Sequence, residues 1–529
     1  LQRGSRTVRY GSAALAGVIA LETRRHTDSP AWSLQASRGS WETSLLRLHG
    51  LLPAGAGWTA GLAVDWFESE GWRENSATDS RSLQLTLSSP EDRPWQYQAT
   101  FSASETSLEN PGGLGTAAYR RRPRQSLYTR FGVADQYRNS LTTLRTTQQL
   151  RYQPAPDQHW QLNFSATNRQ RELNLGAGSH TDHDLDSLAF DLSHQWKHHS
   201  LSGSWGLRGS LDTLFLERFR DEDRRQRFAN VDLERYSLGA FAQLDYRYHP
   251  DWTLSGGLSW DTYDLELSAR EPDFPANPLL NFTGQTDDPA TGAELSLTYH
   301  PNPDAQVWLR YDRVFRFPVL DEIAGYQGFF LDTPVNADLE PETGHGLELG
   351  GQFQGDHLTA SVTAFAQWLE GEILFDFANN QNRNFADSRR LGLESRLTWQ
   401  GRNWRGILNH QWTHARLIRG PFAGKAIPLV PTHQLALNLL WTPRDDLELR
   451  LEWEWLDDAF EGGDFQNTRS PLPGRSLVHL EGRHSLNDHL EVFARIDNLF
   501  DERWASLKFL GQWYPGNGRN LTLGLRATF

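Results

Sequence analysis

The 529-residue chain has no cysteine. This removes disulfides, thiolate nucleophiles and Cys-ligated zinc, and it leaves the redox compartment undetermined beyond independence from an oxidising one. Methionine is absent too; a chain of this length without even an initiator points to an N-terminus that is processed or truncated, or to methionines lost from the recorded sequence. Basic charge is in short supply: 52 Lys+Arg against 66 Asp+Glu give a net charge of −14, the wrong sign for a nucleic-acid binder, which needs a positive face for phosphate. Also missing is any apolar run of about 18 residues, so there is no transmembrane helix and no uncleaved signal peptide. That absence does not make the protein soluble, because a membrane β-barrel hides its lipid-facing surface in alternation.

Aromatic residues, by contrast, are plentiful. They make up 12% of the chain, 21 of them Trp, too many for a low-complexity disordered chain. A prior of roughly 150 residues per domain suggests about three domains, but large barrels routinely break it. The dominant pattern has period two, which sends alternate side chains to opposite faces of a strand. In 446–456, Leu447, Leu449, Leu451, Trp453 and Trp455 share one face, and Glu448, Arg450, Glu452 and Glu454 the other. The C-terminus repeats it, with Leu521, Leu523, Leu525, Ala527 and Phe529 alternating with polar residues and glycine. A β-sandwich also alternates, but here the polar face stays charged opposite nearly pure Leu and Trp. Trp41, Trp58, Trp66, Trp160, Trp252, Trp260 and Trp441 gather at strand ends, as in the two aromatic girdles of an outer-membrane barrel.

Turn signals come in two alternating kinds. Short ones fall at 53–57, 89–94, 153–157, 301–304, 400–403, 442–446 and 485–488; long ones near 107–137, 171–184, 216–232, 267–289, 315–342, 374–387, 417–428, 459–470 and 501–514. Short inner turns alternating with long outer loops predict an all-β fold, an antiparallel transmembrane barrel of about 22 strands from roughly Ala31 to Phe529, a size associated with a plugged lumen. The first residues do not alternate. We therefore expect two parts, 1–27 as the end of an N-terminal plug domain and 28–529 as the barrel.

Four segments resemble TonB-dependent outer-membrane receptors of the siderophore-receptor type. Arg3-Gly4 with the small-residue stretch from Tyr10 to Ile19 is similar to the end of that family's plug. Glu70-Gly71-Trp72-Arg73-Glu74-Asn75-Ser76 resembles its first long loop. Phe315-Arg316-Phe317-Pro318-Val319-Leu320-Asp321-Glu322, followed by Asn336 to Glu342, resembles its mid-barrel signature. Arg495-Ile496-Asp497-Asn498-Leu499-Phe500-Asp501 with the terminal Phe529 resembles its last hairpin and assembly signal. The resemblance implies a monomer in the bacterial outer membrane, in contact with lipid and lipopolysaccharide, that imports a scarce metal chelate, foremost a ferric siderophore. An organic cofactor such as a cobalamin or a quinone carboxylate is the alternative cargo. The inner-membrane TonB energy-transducing complex is the implied partner, although most of the plug and its TonB contact region are absent from this chain. The family also pairs inward barrel glutamates with plug arginines, so Arg3 is expected near Glu348 or Glu394, which alternation turns into the lumen.

Two loops are rich in arginine: Arg120, Arg121, Arg122, Arg124, Tyr128 and Arg130 in one, and Arg218, Arg220, Arg224, Arg225 and Arg227 in the other. Arginine forks suit carboxylates and other delocalised anions, which favours capture of an anionic ligand. The plainer reading is binding of lipopolysaccharide phosphates, or pairing with Glu217, Asp221, Glu222 and Asp223. Tyr326, Phe329, Phe330, Phe375, Phe377, Trp504, Phe509, Trp513 and Tyr514 could line an aromatic vestibule or simply pack loops together. His180 and His183 are expected on the opposite side of the membrane from His198 and His199, so no metal site or resident cofactor is expected. No HExxH, GxSxG or P-loop pattern marks an enzyme; a secreted, Trp-rich β-glycosidase is the alternative from another class.

Overall fold

In lipid the backbone polar groups of a strand can be satisfied only by neighbouring strands, so a sheet of such segments must close. The computed structural model describes residues 2–3, 6–15, 17–20, 27–128, 137–174, 180–272, 281–324, 335–376 and 381–529. Its strands from Ala31–Gly39 to Asn520–Thr528 form one closed antiparallel barrel of 22, each paired with its sequence neighbours. Closure joins the last strand to the first, Thr528 opposite Ser33, and Phe529 exchanges two backbone hydrogen bonds with Trp32 at 2.7 and 3.0 Å. No helix among the described residues is long and apolar enough to cross a membrane.

Every short turn read from the sequence lies at one end of the barrel. Aromatic pairs ring that end: Trp95 on Tyr152 at 4.0 Å, Trp252 with Tyr299 at 4.5 Å and Trp404 on Trp441 at 5.2 Å. Such amphipathic rings settle at the headgroup level, so this end marks the inner interface.

The outer end departs from the expectation. The loops read at 171–184, 216–232, 267–289 and 374–387 are largely strand, because the ladders of His180–His198, Leu201–Phe219, Arg227–His249, Trp252–Arg270, Phe282–Asn302, Leu358–Asp376 and Gln381–Gln400 run through them. Arg227–His249 has 23 residues, far more than the roughly 9 to 11 that cross a bilayer. The opposite wall is low, with Leu490–Asp497 only 8 residues long.

Where a strand leaves the membrane, its alternation changes phase. Along Trp252–Arg270 the outward positions Leu254, Leu258 and Trp260 are exposed, Leu258 at 68%; further out, the same face carries Asp264, Glu266 and Ser268. The inward face changes the opposite way, from Ser255, Gly257, Ser259 and Asp261 to Tyr263, Leu265, Leu267 and Ala269, all four buried. Leu214 and Leu216, and Val231 and Leu233, do the same on the neighbouring strands, and all of them join one core with Phe315, Phe317, Leu320, Ile323, Val335 and Leu339. Inside the bilayer the solvent outside is lipid; above it the outside is water, so the apolar face must turn inward.

The two phases predict opposite sensitivities on one strand. Leu258→Arg should cost about 2 to 4 kcal/mol, as a charge does on the lipid face, and Leu265→Ala about 2 to 5 kcal/mol as a buried cavity. Glu266→Gln, outward and above the membrane, should be close to neutral. Urea unfolding in lipid vesicles measures all three; equal sensitivity at 258 and 266 would show that both positions face the same medium.

Candidate functional site

Upstream of the barrel, residues 7–13 lie inside its lumen. Thr7–Tyr10 forms one helical turn and Gly11–Ala13 a 3-10 turn, with Thr7 and Val8 only 1 and 2% exposed. The wall is shaped for them: a Cβ on Gly257 would stand 3.0 Å from Val8 Cγ1, so the missing side chain is what admits the helix. Arg9 forks Asp191 at 2.8 and 3.0 Å and lies 4.6 Å over the Phe241 ring. Arg208 forks Asp261 at 2.8 and 2.7 Å and donates through Nη1 to the carbonyls of Val8 and Arg9. Each such fork combines charge with two directed hydrogen bonds.

The expected Arg3 contact lies outside the described residues, since only its main chain, opposite Gly17, is described. Glu348 and Glu394 both turn inward; Leu347 and Leu349, flanking Glu348, point outward at 44 and 57% exposure. Glu348 stands opposite Arg310 in the ladder, and Arg310 also forks Asp312 and reaches Glu294 at 2.8 Å. The wall thus supplies an arginine of its own to its inward carboxylates. Sequence reading missed Arg9; the available signal was Asp191, an inward carboxylate between the outward Phe190 and Leu192.

Phe315–Glu322 closes the core above this segment. Arg316 forks both Glu342 and Glu322, Arg235 donates to the Pro318 carbonyl, and the Phe317 amide donates to Ser12 Oγ at 2.7 Å. The base of the 317–341 loop is therefore bonded to the lumen segment.

A second assembly knits the outer loops of the low wall. Arg73, 7% exposed, donates to the carbonyls of Gly112, Pro111 and Gln125 at 2.8, 3.3 and 2.9 Å. Asn75 donates to the Asn110 carbonyl and the Glu74 carboxylate accepts from the Ser126 amide. Thr116–Arg121 forms a short helix whose Tyr119 stacks on Trp513 at 4.6 Å. Leu114 and Trp513 exchange two backbone hydrogen bonds, and Trp513 Nε1 donates to Thr116 Oγ1. Behind them Lys508 pairs with Glu461 at 2.8 Å, both side chains under 5% exposed.

Of the residues read as ligand contacts, Arg120, Arg121 and Arg122 are exposed at the end of that helix. Arg124 is exposed too, but its Nε donates to the Trp72 carbonyl at 2.7 Å, so it also braces the loops. Tyr128 stacks on Tyr137 at 3.3 Å. Trp513 and Tyr514 join the same assembly, whereas Phe375 sits opposite Asn382 in its strand. Arg130, Tyr326, Phe329, Phe330 and Phe377 lie outside the described residues. The second arginine loop is paired within itself, Arg225 with Asp223 and Arg227 with Glu217, and with its neighbours, Arg218 with Glu271 and Arg224 with Asp182. His180 and His183 stand at the outer end of their strand and His198 at its inner end.

Burial sets the protonation of the knitted loops. It holds the Arg73 guanidinium down to about 10 and pushes the Tyr128 phenol up to about 12; Tyr514 and Tyr119 are raised for the same reason.

Residues 71–499 match the family described as TonB dependent receptor-like, beta-barrel. The chain belongs to the TonB-dependent receptors. Its barrel is accordingly an outer-membrane barrel, as the alternation and girdles require. At 21% identity it is similar to the vitamin B12 transporter BtuB of Vibrio cholerae over all of this chain and 78% of that protein. At 22% it is similar, with the same coverage, to the iron-regulated outer membrane virulence protein of Vibrio cholerae. In fold it is similar to the ferric yersiniabactin uptake receptor FyuA of Yersinia pestis (TM-score 0.85, 15% identity, 100% of this chain and 84% of that one).

Two predictions follow from the bonding of this TonB-dependent receptor. Arg9→Gln should weaken the docking of the lumen segment by about 1 to 2 kcal/mol, less than for a fully buried pair because Arg9 and Asp191 keep 18 and 24% of their surface. Faster amide exchange confined to residues 7–14 is the readout, and unchanged exchange would leave the fork without an anchoring role. The Tyr128 phenol should ionise near pH 12, seen as the phenolate absorbance lost in Tyr128→Phe. Because the folded value is raised, the stability contributed by the neutral phenol is present below pH of about 10 and lost as pH climbs through the folded value. Arg73, shifted downward, acts with the opposite sign.

Proposed function

We propose that this receptor imports a scarce metal chelate, foremost a ferric siderophore, which it captures at its outer loops and passes through the lumen under drive from the inner-membrane TonB complex. The observation that carries the reading is the lumen segment held to the wall by the Arg9 fork on Asp191 and by the Arg208 hydrogen bonds to the Val8 and Arg9 carbonyls. A passive pore needs an open lumen, whereas a segment bonded inside it suits gated, energised passage. Its similarity to a ferric yersiniabactin uptake receptor favours iron. The exposed Arg120 and Arg122 suit the negative charge that many ferric chelates carry. On this reading the polar lumen serves transport and no catalysis is needed. A corrinoid is the second reading, favoured by the match to a vitamin B12 transporter along the whole chain.

The test is growth and radioactive-iron uptake in a host lacking its own outer-membrane iron receptors, supplied with single ferric chelates or with cobalamin. We expect uptake of at least one ferric chelate, abolished by removing TonB. The Arg120→Gln/Arg122→Gln double variant should reduce it roughly threefold to tenfold at unchanged surface abundance, the range expected for exposed charges that steer and hold an anion. Uptake of cobalamin alone would replace the first reading by the second, and uptake of none would refute both.

A further inference from the structure

Buried guanidinium groups are normally paired with an anion, because a desolvated charge without one is expensive. Arg73 is not. It is 7% exposed, and among the described residues no carboxylate pairs with it: its Nη atoms meet backbone carbonyls, and its buried Nε has no hydrogen-bond acceptor. The nearest carboxylate in sequence, Glu74, is spent on the Ser126 amide. A fixed positive charge therefore stands inside the outer loops, bonded to carbonyl dipoles and feeling the Glu74 carboxylate only through its field.

Two phenols flank it. Gly112, whose carbonyl accepts from Arg73, has φ +65 and leaves room for Tyr128: a Cβ there would stand 3.0 Å from Tyr128 Cζ. On the next residue, a Cβ at Gly113 would stand 3.0 Å from Tyr514 Cζ. Two adjacent glycines thus seat the hydroxyl ends of two rings that come from different outer loops. Both rings are half-buried, and neither hydroxyl has a hydrogen-bond partner among the described residues. A phenol is neutral and able to donate at physiological pH, and burial shifts both of these further in that direction. The surrounding scaffold is stiff, held by the Tyr119–Trp513 stack and the Leu114–Trp513 bridge.

We propose that Tyr128 and Tyr514, backed by the Arg73 charge, form an oxyanion subsite at the junction of three outer loops, and that it takes a free carboxylate of the imported chelate. The two O–H groups donate to the carboxylate oxygens while the guanidinium acts from behind through its field, an arrangement that costs no reorganisation because the glycine turn and the stacks already hold it. The exposed Arg120 and Arg122 on the same loop raise the local concentration of anions. A lipopolysaccharide phosphate offers the same chemistry, so the probes must separate the two sources. This inference rests on the import reading for the origin of the carboxylate.

The experiment uses the full chain in detergent and follows tryptophan fluorescence, since Trp72 and Trp513 border the subsite. Citrate, ferric citrate and inorganic phosphate are the probes. We expect saturable binding of citrate and ferric citrate that weakens about a hundredfold or more in Tyr128→Phe/Tyr514→Phe, as losing two hydrogen bonds to an ion implies. Those substitutions keep both rings and hence the packing, so a fold defect does not enter; unchanged amide exchange of 110–128 verifies it. Absence of saturable citrate binding in the native protein, or equal affinities in the double variant, overturns the proposal. Binding of phosphate with the same tyrosine dependence and no binding of citrate overturns the carboxylate assignment. Failure of the uptake test with an intact citrate response would instead refute the import reading and leave the oxyanion chemistry standing.

Discussion

The constraint on which this structure depends is that lipid offers no hydrogen-bond partner to a peptide group. Each strand must therefore be bonded on both edges, and the ladder from Ala31–Gly39 round to Asn520–Thr528 closes to meet it. Once the sheet is closed, period-two alternation divides every side chain between lipid and lumen. Charges such as Asp191, Arg208, Asp261 and Arg310 can stand in the membrane span only on the inner face. There they form forks with each other or with the lumen segment. The lumen is thus both where polar residues must go and where a docked segment finds its bonds.

Above the membrane the constraint changes and the fold answers by inverting. A closed ladder needs no lipid to persist, so the strands of one wall continue into water with their polar face outward. The inward face is then apolar and must be filled. Residues 317–324 and 335–341 contribute Phe317, Leu320, Ile323, Val335 and Leu339 to that filling. A mouth packed in this way is a core in the ordinary sense, though it sits outside the bilayer.

Much of this was legible beforehand. Strand number and the short turns followed from the turn signals, and the inward phase of Glu348 and Glu394 from alternation. The outer ends did not, because a water-bathed strand has the composition of a loop: Asp264-Leu265-Glu266-Leu267 alternates as clearly as Leu447 to Trp455, yet its charges face outward and it adjoins turn residues. The site was less readable. Arg73 and Arg124 are held by backbone carbonyls, which leave no mark in the sequence, across separations of 38 to 52 residues. Arg9 meets Asp191 across 182. Trp513 could be named as an aromatic of interest, but only its stack on Tyr119 reveals that it braces a loop.

The mid-barrel signature shows how a recognisable motif can serve the fold itself. Arg316 has to satisfy Glu322 and Glu342 together, which fixes both ends of the 317–341 loop at the barrel rim. Asn382 and Asn384 then bond the backbone of that loop at Glu322 and Glu340. The base so fixed is bonded in turn to Ser12, which accepts from the Phe317 amide. Ser12 follows the helical turn that Arg208 and Arg9 hold to the wall. Among the described residues, the base of the outer loop, the lumen segment and the tall wall therefore form one contiguous bonded network.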